Sequence, residues 1–111
     1  MNEVKGKGRP LKVRKVGYLP RTLQFSPRGN PGRPDEVELS FDQLEALRLS
    51  DWQGLSQSRA AKMMEVSRAS FGRILRCARK KVVDALVHGK IIRIIEGKVS
   101  FDVTLKVKSS E

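Results

Sequence analysis

Arg68, Arg73, Arg76, Arg79, Lys80 and Lys81 crowd one short stretch of this chain. A guanidinium is a planar fork of donors that bonds a phosphate, or the O6/N7 edge of guanine, through two parallel hydrogen bonds. A lysine ammonium meets phosphate as a compact point charge. The chemistry on offer is recognition of a polyanion. Bond making is not expected, because no nucleophile stands with a base and an orienting partner. Cys77 and His88 are each single, so neither an internal disulfide, nor zinc-ligand spacing, nor Cys/His catalysis is expected. The carboxylates Asp35, Glu36, Glu38, Asp42 and Glu45 could suggest a hard-metal site. Asp42 and Glu45 instead suit the positive end of a helix, and the others a solvated linker or the partner of a basic arm. The expectation is no enzyme, no metal and no cofactor.

Such cations read a groove only if a rigid element holds them on one side. Phe71, Ile74, Leu75, Ala78, Val82, Ala85 and Leu86 recur every three or four residues, which predicts an amphipathic helix with Ser67 as its cap and Gly89 as its stop. Cys77 falls beside the apolar stripe, as a part-buried packing residue, and His88 at the carboxyl end, where a cation caps favourably. Ala69, Arg73, Arg76 and Lys80, spaced by four, three and four, share the face away from the stripe. Upstream, Ser56 caps a short helix over about 57–64 whose small Ala60 and Ala61 permit close approach. Ser40, with Gln43 three residues on, opens a helix over about 41–52 with the spacing of a capping box. Two helices joined by the turn Glu65, Val66, Ser67 fit a helix-turn-helix; the plain alternative is an ordinary helical hairpin.

In the sharper reading the start of the third helix enters a major groove. Arg68, Ala69, Ser70 and Arg73 then face base edges, while Ser56, Arg76, Arg79, Lys80 and Lys81, with Lys7 and Arg9 from the amino-terminal arm, meet phosphates. A solvated charged face is the ordinary alternative for such residues.

Charge along the chain favours a nucleic acid. The 111 residues carry a formal charge of +11, and it is segregated. Residues 1–34 hold nine Lys/Arg against one Glu, 35–52 six acids against one Arg, and 53–90 nine Lys/Arg against two acids. Separated blocks of one sign create a local potential that attracts polyanions. An anionic membrane surface ranks second, and no apolar run approaches the ~20 residues of a spanning helix. With no apolar stretch typical of a signal peptide at the amino terminus, the expected location is cytoplasmic.

The expected fold is mainly α, a three-helix domain of helix-turn-helix type over 35–89 with an extended amino-terminal arm, 1–34, and a carboxyl-terminal β-hairpin and tail, 90–111. The arm is rich in Gly and Pro. Its pieces around Val13 to Leu19 and Leu23 with Phe25 could dock as edge strands. The triplets Gly8-Arg9-Pro10 and Gly32-Arg33-Pro34 resemble the core of an AT-hook, which carries arginine into a narrow minor groove. After Gly89 the runs IIRIIE and VSFDVTLKV flank Gly97-Lys98 and read as a hairpin with a type II′ turn. Its register sets Ile94 opposite Phe101, Ile92 opposite Val103 and Arg93 opposite Asp102. A lone hairpin is marginal in water, so its apolar face needs the helices, the strands near Leu23 to Phe25 or Val37 to Leu39, or a second subunit; a homodimer is expected.

The stretch LSFDQLEALRLSDWQGLSQSRAAKMMEVSRASFGRILRCARKKVVDALVHGKIIRI, with RKVGYLP upstream, resembles the prokaryotic domain-of-unknown-function family 134, over roughly residues 13–96. LEALRL, GLSQ, VSRASFGRIL and ARKKV carry the likeness most specifically. Members are predicted DNA-binding proteins whose helix-turn-helix looks like that of region four of sigma factors. The resemblance implies a transcriptional regulator and places recognition on residues 67–76. This chain departs from the family at Glu65, where relatives usually have glycine, and at Ser58-Arg59, where they usually carry an acidic pair. The expected partner is double-stranded DNA; the alternative is an RNA-binding or ribosome-associated basic module, for which the chain lacks an aromatic stacking platform.

Overall fold

The chain forms the helices that its short-range signals call for. A computed structural model describes residues 13–29, 34–97 and 99–101. Ser40 precedes α1 (Phe41–Leu47), and its backbone N–H donates to Gln43 Oε1 at 3.0 Å. The helix runs on through Arg48–Trp52 as a wider π turn, closed by Gln53 N–H on the Arg48 carbonyl at 2.8 Å. Ser56 Oγ accepts from Arg59 N–H at 3.2 Å and opens α2 (Gln57–Met64). Ser67 Oγ accepts from Ser70 N–H at 3.0 Å and opens α3 (Arg68–His88). Gly89, at φ 65°, ends α3 in the left-handed conformation that a glycine tolerates.

Between α2 and α3, Glu65 takes φ 59° and ψ 43°, the conformation the missing glycine would have adopted without strain. Its N–H reaches the Lys62 carbonyl, and the N–H of Val66 reaches that of Ala61 at 3.0 Å. The turn therefore has the bonding of a helix stop, with a side chain in the left-handed region at a cost of ~1 kcal/mol.

Helices hold about half of the described residues, and two small sheets hold the strands. The core has two parts. Ala46, Leu49, Ala60, Ala61, Met64, Phe71, Ile74 and Leu75 join α1 and α2 to the first half of α3. Leu39, Ala78 and Ile94, with Phe41, Leu44, Val82 and Ile92, join the larger sheet to its second half.

The carboxyl-terminal strands do not form the expected hairpin. The strands, in chain order, are β1 (Arg14–Val16), β2 (Gln24–Phe25), β3 (Glu36–Ser40), β4 (Ile91–Ile95) and β5 (Val99–Phe101). β4 lies between β2, which it meets antiparallel with Phe25 beside Ile92, and β3, which it meets parallel with Leu39 beside Ile94. β5 pairs instead with β1, in parallel, with Phe101 beside Val16. The reason is edge satisfaction. A two-stranded ribbon leaves an open row of donors and acceptors on each side, whereas a middle strand has both rows filled and rests its isoleucines on α3. Gly97, at φ 73°, passes so close to the start of α1 that a Cβ would stand 3.0 Å from the Ser40 Cβ. Arg93 pairs with Glu36 at 3.5 Å; Asp102 and Val103 lie outside the described residues. The docking sites expected for the arm, by contrast, are where β1 and β2 lie.

Two packing expectations are corrected. Leu86 is 74% exposed and so stands outside the buried stripe. Cys77 is exposed, with Gln43 Nε2 donating to its Sγ at 3.4 Å. His88 Nδ1 lies 2.7 Å from Asp84 Oδ1 and 3.2 Å from the Asp84 carbonyl, at the helix end as expected. No helix among the described residues is long and apolar enough to cross a membrane.

Candidate nucleic-acid interface

Across the back of α3 lies α1. One end of α1 reaches one flank of α3, where Lys81 Nζ donates to Gln43 Oε1 at 3.2 Å and Gln43 meets Cys77. The turn that continues α1 reaches the other flank, where Arg79 makes two bonds to Asp51, at 2.7 and 3.1 Å. Between these contacts sits Ala78, fully buried, whose methyl group lets the two backbones approach. The opposite side of α3 is thereby the open one. Ala69, Arg73, Arg76 and Lys80 lie there and are exposed, as is Arg68 at the helix start.

Arg68, Arg73, Arg76 and Lys80 form no ion pair among the described residues. Arg73 Nη2 donates to Ser70 Oγ at 3.0 Å, so the side chain is drawn toward the amino-terminal turn while four of its donors remain. The face is thus a run of uncompensated cations beginning at a helix amino terminus, the end where backbone N–H groups also favour anions.

Arg79 and Lys81 are employed otherwise than the sequence reading assigned them. The Asp51 carboxylate holds the Arg79 guanidinium, and through that hydrogen bond Asp51 is pushed below the usual carboxylate range while Arg79 is pushed up. Lys81 Nζ also donates to the Glu38 carbonyl at 2.6 Å, on strand β3. Both are clamps on the flanks, fixing α3 against α1 and the sheet. Ser56 Oγ is occupied by its cap bond, though the residue is exposed. Lys7 and Arg9, with both Gly-Arg dipeptides of the AT-hook-like triplets, lie outside the described residues.

What the sequence did not disclose is the support beneath the arm. Asp42 and Glu45, 6% and 4% exposed, are buried by β1 and the residues after it. Arg14 stands 3.5 Å from Asp42. Glu45 accepts two bonds from Arg48, both 2.8 Å, and one from Gly17 N–H, also 2.8 Å. Arg48 lies over the Tyr18 ring, 5.6 Å from its centroid, and the hydrogen bonds it donates to Glu45 raise its pKa. The acids fall one helical turn apart on α1, which was the available clue; that both face a strand was not visible.

Residues 1–102 match the family model described as "Protein of unknown function DUF134". The chain belongs to this family. Among its relatives, a "UPF0251 protein" of Prosthecochloris aestuarii is 50% identical over 93 residues, covering 83% of this chain and 59% of the relative. One of Caldicellulosiruptor bescii is 53% identical, covering 84% and 65%. One of Thermoanaerobacter sp. (strain X514) is 50% identical over 90 residues and covers 80% of each chain. The chain spans about three fifths of the length of the first two relatives. No solved structure matches it.

Proposed function

We propose that this chain binds double-stranded DNA, with α2, the 65–67 turn and α3 acting as a helix-turn-helix and the amino-terminal half of α3 lying in the major groove. The observation that carries the reading is the open side of α3, where Arg73, Arg76 and Lys80 project without carboxylate partners, with Arg68 unpaired at the helix start, while α1 backs the helix from behind. Arg68, Ala69, Ser70 and Arg73 sit at the end that enters a groove first and read base edges; Arg76 and Lys80, farther along, meet phosphates. Arg79 and Lys81 hold the helix in place. The likeness to region four of sigma factors supports a role in regulating transcription, and such a role belongs in the cytoplasm.

Each neutralised phosphate contributes about −0.9 to the slope of log K against log salt, so six contacts give roughly −5. The test is a fluorescence titration of duplexes selected from a random pool against unselected duplex. Arg73→Ala should lose roughly 10- to 100-fold on the selected site and relax base choice, whereas Lys80→Ala should weaken both duplexes alike. Equal losses for both variants on both duplexes would remove the division of labour. Preference for single-stranded RNA over any duplex would replace DNA with RNA as the partner.

A further inference from the structure

We propose that Gln57 of α2 and Arg76 of α3 grip one DNA phosphate between them, a contact that rests on the DNA reading above and brings a second helix into the site. Gln57 is the first residue of α2 and is partly buried. Its carboxamide lies against α3 at Gly72, where an added Cβ would stand 3.6 Å from Gln57 Oε1. The carboxamide makes no hydrogen bond among the described residues. A polar group held in place and unpaired bonds a ligand without giving up a protein partner.

Two features of α3 set the second half of the grip. Glycine is a poor helix former, yet Gly72 stands inside this 21-residue helix. The side chain it lacks leaves the room that the carboxamide fills. Arg76, one turn further on and about 40° around the axis, is exposed and has no ion pair among the described residues. A helical side chain leans toward the amino terminus, over the turn before it, so Arg76 is directed toward the place above Gly72. An amide and a guanidinium thus converge from two helices.

Position decides what they hold. Gly72 lies about 60° around α3 from Ala69, at the border of the open side. A major groove ~12 Å wide is filled by a helix ~10–12 Å across, so a group that a second helix brings to the flank of α3 meets the wall of the groove. That wall is phosphate. Its oxygens accept from the amide N–H and from the guanidinium together, whereas the bases are left to the residues at the middle of the open side. Held from two helices, this phosphate would fix the tilt at which Arg73 meets a base edge.

Fluorescence titration of selected and unselected duplex by the full chain tests the grip. Gln57→Ala should lose roughly tenfold on both duplexes, because a phosphate carries no sequence. Its salt slope should stay that of the wild type, since a neutral amide displaces no counterion, whereas Arg76→Ala should lower the slope by about 0.9. Gln57→Glu should bind more weakly than Gln57→Ala, because a carboxylate repels the phosphate and pairs with Arg76. An acid suits the first turn of a helix, and far-ultraviolet circular dichroism verifies that every variant stays folded. Replacing the phosphates one at a time by neutral methylphosphonate should reveal one position that weakens the wild type and to which Gln57→Ala and Arg76→Ala are both indifferent. Gln57→Ala binding as the wild type, losing affinity on the selected duplex alone, or becoming indifferent at a different phosphate from Arg76→Ala overturns the grip and leaves the DNA reading standing. A wild type with no affinity for either duplex refutes the DNA reading itself.

Discussion

Two sets of cations stand on α3, chemically alike and separated by their places on one helix. On its flanks Arg79 and Lys81 are anchored, one to a carboxylate and the other to a backbone carbonyl and an amide. On its front Arg73, Arg76 and Lys80, and at its start Arg68, bond to no acid among the described residues. An arginine is therefore a strut or a probe according to what the neighbouring helix places beside it. On the proposed DNA reading the struts would give the probes their precision, because a side chain reads a base edge only from a helix that does not rock.

Several substitutions would break or sharpen that contrast. The largest effect belongs to the contact behind both sets. Ala78→Leu forces three extra carbons between α1 and α3 and should destabilise the fold by ~1–3 kcal/mol, read as a lower midpoint in urea. Arg73→Ala should leave that midpoint within ~0.5 kcal/mol of wild type, as befits a residue that holds nothing together. Wild-type stability in Ala78→Leu, or a marked loss in Arg73→Ala, would dissolve the distinction. Glu65→Gly should raise stability by ~1 kcal/mol, or ~4–8 °C in Tm for a domain of this size, by relieving the left-handed residue. Its exposed pairing with Lys15 at 3.6 Å offers little to lose. A lower Tm would show that Glu65 is not strained.

The smallest effect tests the strut itself. Arg79 holds the carboxyl of Asp51 below its usual range, so the folded pKa lies under the unfolded one. The contribution is present above ~pH 4 and is lost as pH falls through the folded value. The pair is half exposed, which limits it to ~1 kcal/mol or less. Asp51→Asn should flatten the acid limb of stability against pH; an unchanged limb would mean that the contact is idle.

The helices and their ends were legible because their causes are local. Ser56, Ser67 and Gly89 act on neighbours within a few residues, and the apolar spacing of α3 reports its own buried side. The departure at Glu65 was legible only through the family resemblance, which implies a glycine at that position. The clamp between Asp51 and Arg79 spans 28 positions, and nothing about either residue distinguishes it from a solvated charge. Leu86 continues the three-four spacing of the stripe, yet it falls on the stripe's edge, about a quarter turn from the buried Ala85. The strand 91–95 was recognisable as a strand, and its partners were named among the alternatives for covering a hairpin. The choice between a neighbour six residues away and one fifty away is made by tertiary packing, to which a pattern of alternating residues is blind.

The position of β4 bears on how the polypeptide assembles during synthesis. Its partners β2 and β3 both precede the helices, yet they share no hydrogen-bonded edge and meet only through the strand between them. As the ribosome releases the chain, these earlier segments remain an unfilled slot, and Leu39, Ala78 and Val82 lack their lid until the isoleucines at 91–95 emerge. Closure is a late, long-range event, so a nascent product halted after Gly89 would have every helix it needs but only the α1 side of the far half of α3 covered.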